Sequence, residues 1–124
     1  MKYSVIIVED DPSYQAIVSS FVESNENLEL LAVVDNPDAA KAEITKHKPD
    51  ILLLDMLLGG DEGLEILDEV DWEPVTLVIS GNPYYKFESS GFEVVDFIEK
   101  PIKYPHTIKT ALDACIKRCE QKNS

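Results

Sequence analysis

The sequence predicts an α/β fold, a doubly wound parallel sheet with helices on both faces. Short apolar runs alternate with segments of helical periodicity in the order βαβαβαβαβα. Three of the runs, Val5-Ile6-Ile7-Val8, Ile51-Leu52-Leu53-Leu54 and Leu77-Val78-Ile79, are apolar at successive positions, the pattern of strands covered on both faces. The intervening segments are long enough for crossover helices, which parallel neighbours require.

Tyr3 to Val8 reads as the first strand, and Asp11-Pro12 opens the first helix, with proline in the first turn. Tyr14, Ile17, Val18, Phe21 and Val22 follow the i, i+3, i+4, i+7 spacing of one helix face, which marks the first helix. Leu28 to Val34 is the second strand. Asn36-Pro37-Asp38 starts a second helix in which Ala40 and Ile44 share a face, and Lys48-Pro49 ends it. The third strand is Ile51 to Leu54, and a short helix is expected from about Glu62 to Val70, stopped by Glu73-Pro74. Val75 to Ile79 is the fourth strand. A fourth helix is expected near Pro83 to Ser89, and Val94 to Ile98 is the fifth strand. Ile108, Ala111, Leu112, Cys115, Ile116 and Cys119 form an apolar stripe on a last helix, whose final turns carry Lys117, Arg118 and Lys122, where cations suit the helix dipole.

The chain has 124 residues, which suits one domain over 1–124. With 44% AVILMFWYC and 28% charged residues it has the composition of a globular chain, too aliphatic for disorder. Eleven Lys plus Arg against 24 Asp plus Glu give a formal charge of −13, which argues against direct nucleic-acid binding and against an anionic membrane surface. No apolar run approaches the roughly 20 residues of a membrane span, and Met1-Lys2-Tyr3-Ser4 leads into a strand rather than a signal peptide, so a cytoplasmic location is expected. Cys115 and Cys119, one helical turn apart, suit reduced thiols on a buried face better than a disulfide.

In doubly wound sheets ligands bind beyond the carboxyl ends of the strands, where the strand order reverses. Those ends carry Glu9-Asp10-Asp11 after the first strand, Asp55 after the third, Ser80 closing the fourth and Lys100-Pro101 after the fifth. Carboxylates converging on one edge repel one another unless a cation or raised pKa values relieve them. Magnesium prefers oxygen ligands and keeps several waters, so it matches such a site. Neither His47 nor His106 stands at a strand end, which argues against zinc. Asp55 is a candidate nucleophile toward phosphorus, with Lys100 to neutralise developing charge and Ser80 to hydrogen-bond a phosphoryl oxygen. Asp11, directly before Pro12, reads as a helix cap rather than a ligand.

Val5-Ile6-Ile7-Val8-Glu9-Asp10-Asp11, Leu53-Leu54-Asp55, Val78-Ile79-Ser80-Gly81 and Asp96-Phe97-Ile98-Glu99-Lys100-Pro101 together resemble the signature of response-regulator receiver domains, over essentially the whole chain. The resemblance implies a flavodoxin-like sheet of order 2-1-3-4-5 and a two-component signalling domain, not an enzyme acting on a separate substrate. It implies Asp55 as phosphoacceptor, Asp10 as a direct Mg2+ ligand, Glu9 acting mainly through a metal-bound water, and the carbonyl of Leu57 as a further ligand. It makes Ser80 and Lys100 the partners of the phosphoryl group, Phe97 the switching aromatic, and Pro101 the residue after a cis peptide. It implies a sensor histidine kinase or phosphotransfer protein as partner, leaves room for a homodimer, and places the output on the last two strands and helices. Three features depart from the pattern: Gly59 stands where proline is usual, Phe97 replaces the commoner tyrosine, and the segment from Ser80 to Lys100 is slightly short.

Other readings of the same residues differ in what they require. A receiver-like module that signals by dimerisation alone would not bind magnesium. A haloacid-dehalogenase-like phosphatase also uses an aspartate after an apolar strand, but needs a second aspartate where this chain has Leu57. A flavodoxin would carry a phosphate-binding loop after the first strand, where Glu9-Asp10-Asp11 would repel phosphate. The short fourth-helix segment and the Asp96-Phe97-Ile98 run are also similar to regulators that carry a LytTR-type DNA-binding domain.

Overall fold

The computed structural model describes residues 2–55, 65–81 and 94–123. Five strands, β1 (Tyr3–Val8), β2 (Leu28–Val34), β3 (Ile51–Leu54), β4 (Val75–Ser80) and β5 (Val94–Glu99), form one sheet in the order β2-β1-β3-β4-β5. Every pairing in it is parallel. Among the described residues the helices are α1 (Pro12–Glu23), α2 (Pro37–His47), α3 (Glu65–Asp68) and α4 (His106–Lys122).

Strand side chains alternate between two cores, as the pleat requires. Val5, Ile7, Leu53, Leu77 and Ile79 pack with Val18 and Val22 of α1 and with Ile108, Leu112 and Cys115 of α4. Ile6, Val8, Leu52, Leu54 and Val78 face the other way, toward Ala40 and Ile44 of α2 and Ile66 and Leu67 of α3. All four residues of β3 are buried, because both its faces and both its edges are covered. The outer strands β2 and β5 keep half-exposed and exposed positions.

Local chemistry sets the helix ends. Asp11 caps α1 by accepting from the Ser13 amide at 2.8 Å, with Pro12 at the first helical position. Asn36 caps α2 by accepting from Ala39 N at 2.8 Å. That helix stops at Lys48, which turns left-handed (φ 46°) before Pro49, a residue that disfavours right-handed helix in its predecessor. Two expectations are corrected. α3 ends at Asp68 rather than Val70, because Glu69 N bonds back to Ile66 O in a tighter i to i+3 turn. The buried stripe of α1 is narrower than its periodicity suggested: Val18 and Val22 are buried, whereas Ile17 is 42% exposed on the helix flank. The start of the third expected helix at residues 62–64, the expected fourth helix, Leu57 and Gly59 all lie outside the described residues.

Candidate functional site

The strand order reverses between β1 and β3: the chain leaves β1 toward β2 on one side and then returns to the other side of β1 as β3. Val8 pairs with Leu54 at the carboxyl ends of these neighbours, so Glu9 and Asp55 leave the sheet side by side. The Asp55 amide continues the ladder by donating to Val8 O at 3.0 Å, and the Glu9 amide donates to Val34 O at 2.9 Å. Both acids are therefore held by backbone that is still effectively sheet. Glu9 is only 3% exposed and Asp55 only 8%, although each carries an ionisable carboxyl. Asp10, one residue on, is exposed.

Glu9, Asp10 and Asp55 each bring a carboxylate oxygen into a group whose members all lie within 4.8 Å of one another. Lys100 closes the group from β5. Its amide donates to Ser80 O at 2.9 Å, which fixes the start of the turn after β5 against the end of β4. The Lys100–Pro101 peptide is cis. From there the Lys100 Nζ lies 2.6 Å from Glu9 Oε1 and 3.4 Å from Asp55 Oδ2. Burial pushes the Glu9 carboxyl above its ordinary value, against the lowering pull of hydrogen bonds from Lys100 and the Asp11 amide. Burial also works to lower the Lys100 ammonium, but the hydrogen bond to Glu9 and the charges of Asp55 and Glu9 together outweigh it and hold it above the usual lysine range. The difference follows the neighbouring charges, since Lys100 faces two acids, whereas Glu9 faces one lysine and is raised further by the charge of Asp55.

The first turn of α1 holds this arrangement from the side. Glu9 Oε2 accepts from the Asp11 amide at 3.0 Å, and Gln15 Nε2 donates to Glu9 O at 2.6 Å. The Lys100 ammonium also stands over the Tyr14 ring, 4.4 Å from its centroid. The sequence pattern assigns Tyr14 only to an apolar stripe, and nothing in it marks Gln15. The available signal is position, since Tyr14 falls in the first turn of the helix that opens directly after Glu9-Asp10-Asp11.

Of the other candidates, Ser80 is fully buried at the end of β4. Phe97 is half-buried on β5 and packs against the core that includes Val78 and Leu54. Asp11 serves as the α1 cap. The donor set among the described residues is all oxygen, two of its three acids are buried, and the third opens to solvent. A hard divalent ion such as Mg2+, which keeps some of its waters, fits these donors, whereas zinc would want nitrogen or sulfur.

Residues 5–113 match the sequence model of the response regulator receiver domain family. Over 118 residues the chain is 29% identical to the probable C4-dicarboxylate response regulator DctR of Priestia megaterium, a match covering 90% of this chain and 50% of that protein. It is 26% identical over 109 residues to the sensory transduction protein LytT of Bacillus anthracis, covering 86% of this chain and 44% of LytT. The chain thus spans about half the length of the curated relatives it matches. The response regulatory domain of mrkE from Klebsiella pneumoniae superposes with a TM-score of 0.82 at 22% identity, covering 95% of this chain and 98% of that one, which is a likeness of fold.

Proposed function

The chain belongs to the response regulator receiver domain family of two-component signalling, and from that footing we propose that Asp55 is its phosphoacceptor, with Glu9, Asp10 and Asp55 as the seat of a Mg2+ ion and Leu57 as a further ligand through its carbonyl. The observation that carries this reading is the convergence of three carboxylates within 4.8 Å at the strand-order reversal, closed by a lysine 3.4 Å from Asp55.

An Asp55 carboxylate oxygen attacks phosphorus while the bond from phosphorus to the donor breaks, and the leaving group takes the electron pair. With a sensor kinase or phosphotransfer protein the leaving group is a histidine imidazole, and with acetyl phosphate it is acetate. A bound Mg2+ would supply neutralisation of charge between the carboxylates and the phosphoryl oxygens. Lys100 adds a fixed positive charge beside Asp55, which acts where negative charge accumulates. Ser80, closing β4, offers its hydroxyl to a phosphoryl oxygen. Hydrolysis restores the starting state: water attacks phosphorus, the Asp55–phosphorus linkage breaks at its phosphorus–oxygen bond, and inorganic phosphate leaves.

The output of this chemistry is a conformation. Engagement of Ser80 and Lys100 by the phosphoryl group pulls on the ends of β4 and β5, and Phe97, half-buried on β5, is the side chain placed to repack in response. No helix among the described residues is long and apolar enough to cross a membrane.

The test is incubation with acetyl phosphate and Mg2+, followed by intact-mass measurement. One phosphoryl group per chain is expected, lost on chelation of the metal and lost in Asp55→Asn. An Asp55→Asn protein that still gained the group would overturn the assignment.

A further inference from the structure

We propose that Tyr14 is a positioning residue for Lys100: the face of its ring holds the lysine ammonium beside Asp55 when a cation occupies the carboxylates. The inference rests on the reading that Asp55 accepts the phosphoryl group, and it concerns what keeps the lysine in place while that happens.

Among the described residues Lys100 has three partners in the site. Two are anionic, Glu9 at 2.6 Å and Asp55 at 3.4 Å, and the third is the neutral Tyr14 ring, 4.4 Å from Nζ to the centroid. The two acids are members of the cluster that fits a divalent ion. A cation seated there draws on the same oxygens that attract Lys100 and repels the ammonium directly. Ion pairing alone would therefore release the lysine at the stage when its charge is needed. The ring does not have this defect. Its negative face attracts an ammonium but offers no oxygen lone pair toward the metal and adds no net charge to the site.

The placement of Tyr14 is rigid enough for this task. It lies in the first turn of α1, whose start is fixed by the Asp11 cap and Pro12. The next residue, Gln15, ties the same turn to Glu9 O at 2.6 Å. The Tyr14 side chain is half-buried, so the interaction is only partly screened by water. An aliphatic residue here would fill the space but give the ammonium nothing to rest on.

Two readouts test the proposal. In the first, the Lys100 ε-methylene protons are followed by NMR in the wild type, Tyr14→Phe and Tyr14→Leu, without metal and at saturating Mg2+. Upfield ring-current displacement is expected in the wild type and Tyr14→Phe under both conditions, and ordinary lysine shifts in Tyr14→Leu. Loss of the displacement when Mg2+ is added to the wild type would overturn the proposal. In the second, Asp55 phosphorylation from acetyl phosphate is timed at saturating Mg2+. Tyr14→Phe should stay within about 2-fold of wild type, and Tyr14→Leu should slow by roughly 3- to 10-fold, the range of a partly desolvated cation–π contact. Ring-fluorinated phenylalanines at position 14 keep the shape while draining charge from the ring face, and the rate should fall with each added fluorine. A flat series would overturn the proposal even if Tyr14→Leu folds poorly. A wild type that takes up no phosphoryl group would sink the phosphoacceptor reading, while the NMR readout would still decide where Lys100 rests.

Discussion

Lys100 lies closer to Glu9 than to Asp55, at 2.6 Å against 3.4 Å. The lysine therefore neutralises the most deeply buried acid of the site and competes with any cation for it. Replacing it should separate two effects. In Lys100→Ala, the affinity for Mg2+ should rise by about 3- to 10-fold, because one positive charge near the acids is gone. The metal-free protein should lose about 1–3 kcal/mol, because Glu9 is left buried with weaker compensation. Calorimetric titration with Mg2+ and urea unfolding without metal measure the two effects. An unchanged or weaker Mg2+ affinity would mean that Lys100 and the cation do not share Glu9.

A Mg2+ ion seated on the acid cluster would make stability depend on its concentration. A ligand that binds only the folded state adds about 2.7 kcal/mol at a hundred-fold excess over its Kd, which for a domain of this size raises Tm by roughly 10 °C. Asp10 is the exposed member of the group, so Asp10→Asn should fold normally yet lose most of that increment. Thermal melts of both proteins across a Mg2+ series check this. Equal metal-induced shifts would remove Asp10 from the site.

Asp11 sits among these acids but does other work, since its carboxylate accepts from Ser13 N at the start of α1. Asp11→Ala should cost about 1 kcal/mol of stability, the usual loss for a helix cap. Its Mg2+ affinity should change by less than about 3-fold, as expected for a solvent-screened neighbour rather than a ligand. The Asp11 amide that braces Glu9 belongs to the backbone and survives the substitution. A loss of Mg2+ binding comparable to that of Asp10→Asn would place Asp11 among the ligands.

The legible parts of this molecule are those fixed by local pattern. Ile51 to Leu54 reads as a doubly covered strand because each of its residues enters one of the two cores, and all four are buried. Proline with an Asp or Asn before it marks the starts of α1 and α2 for reasons contained within one turn. The strand-end acids were also legible, because the parallel topology sends β1 and β3 to the same edge. Illegible were the pairings between segments distant in sequence. That Lys100 favours Glu9 over Asp55 depends on the register of β5 against β4 and on the course of the Lys100 side chain across the site, neither of which has a local signature. Tyr14 illustrates a second limit: its spacing fits an apolar stripe, yet its ring serves a charge, and periodicity registers only that a residue faces inward. Ile17 shows the reverse, fitting the stripe while 42% of it stays exposed.

The paired thiols on α4 give a pH dependence whose sign can be derived. Burial, followed by the neighbouring Cys119 and Asp96, pushes the Cys115 thiol up to about 12. Burial and the Asp50 charge push Cys119 up to about 11. Both groups are thus held neutral by the fold, while in the unfolded chain they ionise near pH 8.5. Below that value neither state loses the proton, and the stabilising preference for the neutral thiol is fully present. As pH rises past it, the unfolded chain releases protons that the folded chain retains, so stability falls until the folded thiols ionise as well. Each thiol should contribute a slope of about 1.4 kcal/mol per pH unit in this window. Urea unfolding between about pH 8.5 and 10.5 should therefore show wild type losing stability more steeply than a Cys115→Ala/Cys119→Ala protein, which keeps every other titrating group. At pH 8 the same burial should leave both thiols unreactive toward iodoacetamide until the protein unfolds. Parallel stability curves for the two proteins, or alkylation of the native wild type at the rate of a free thiol, would show that these cysteines are not held neutral in the core.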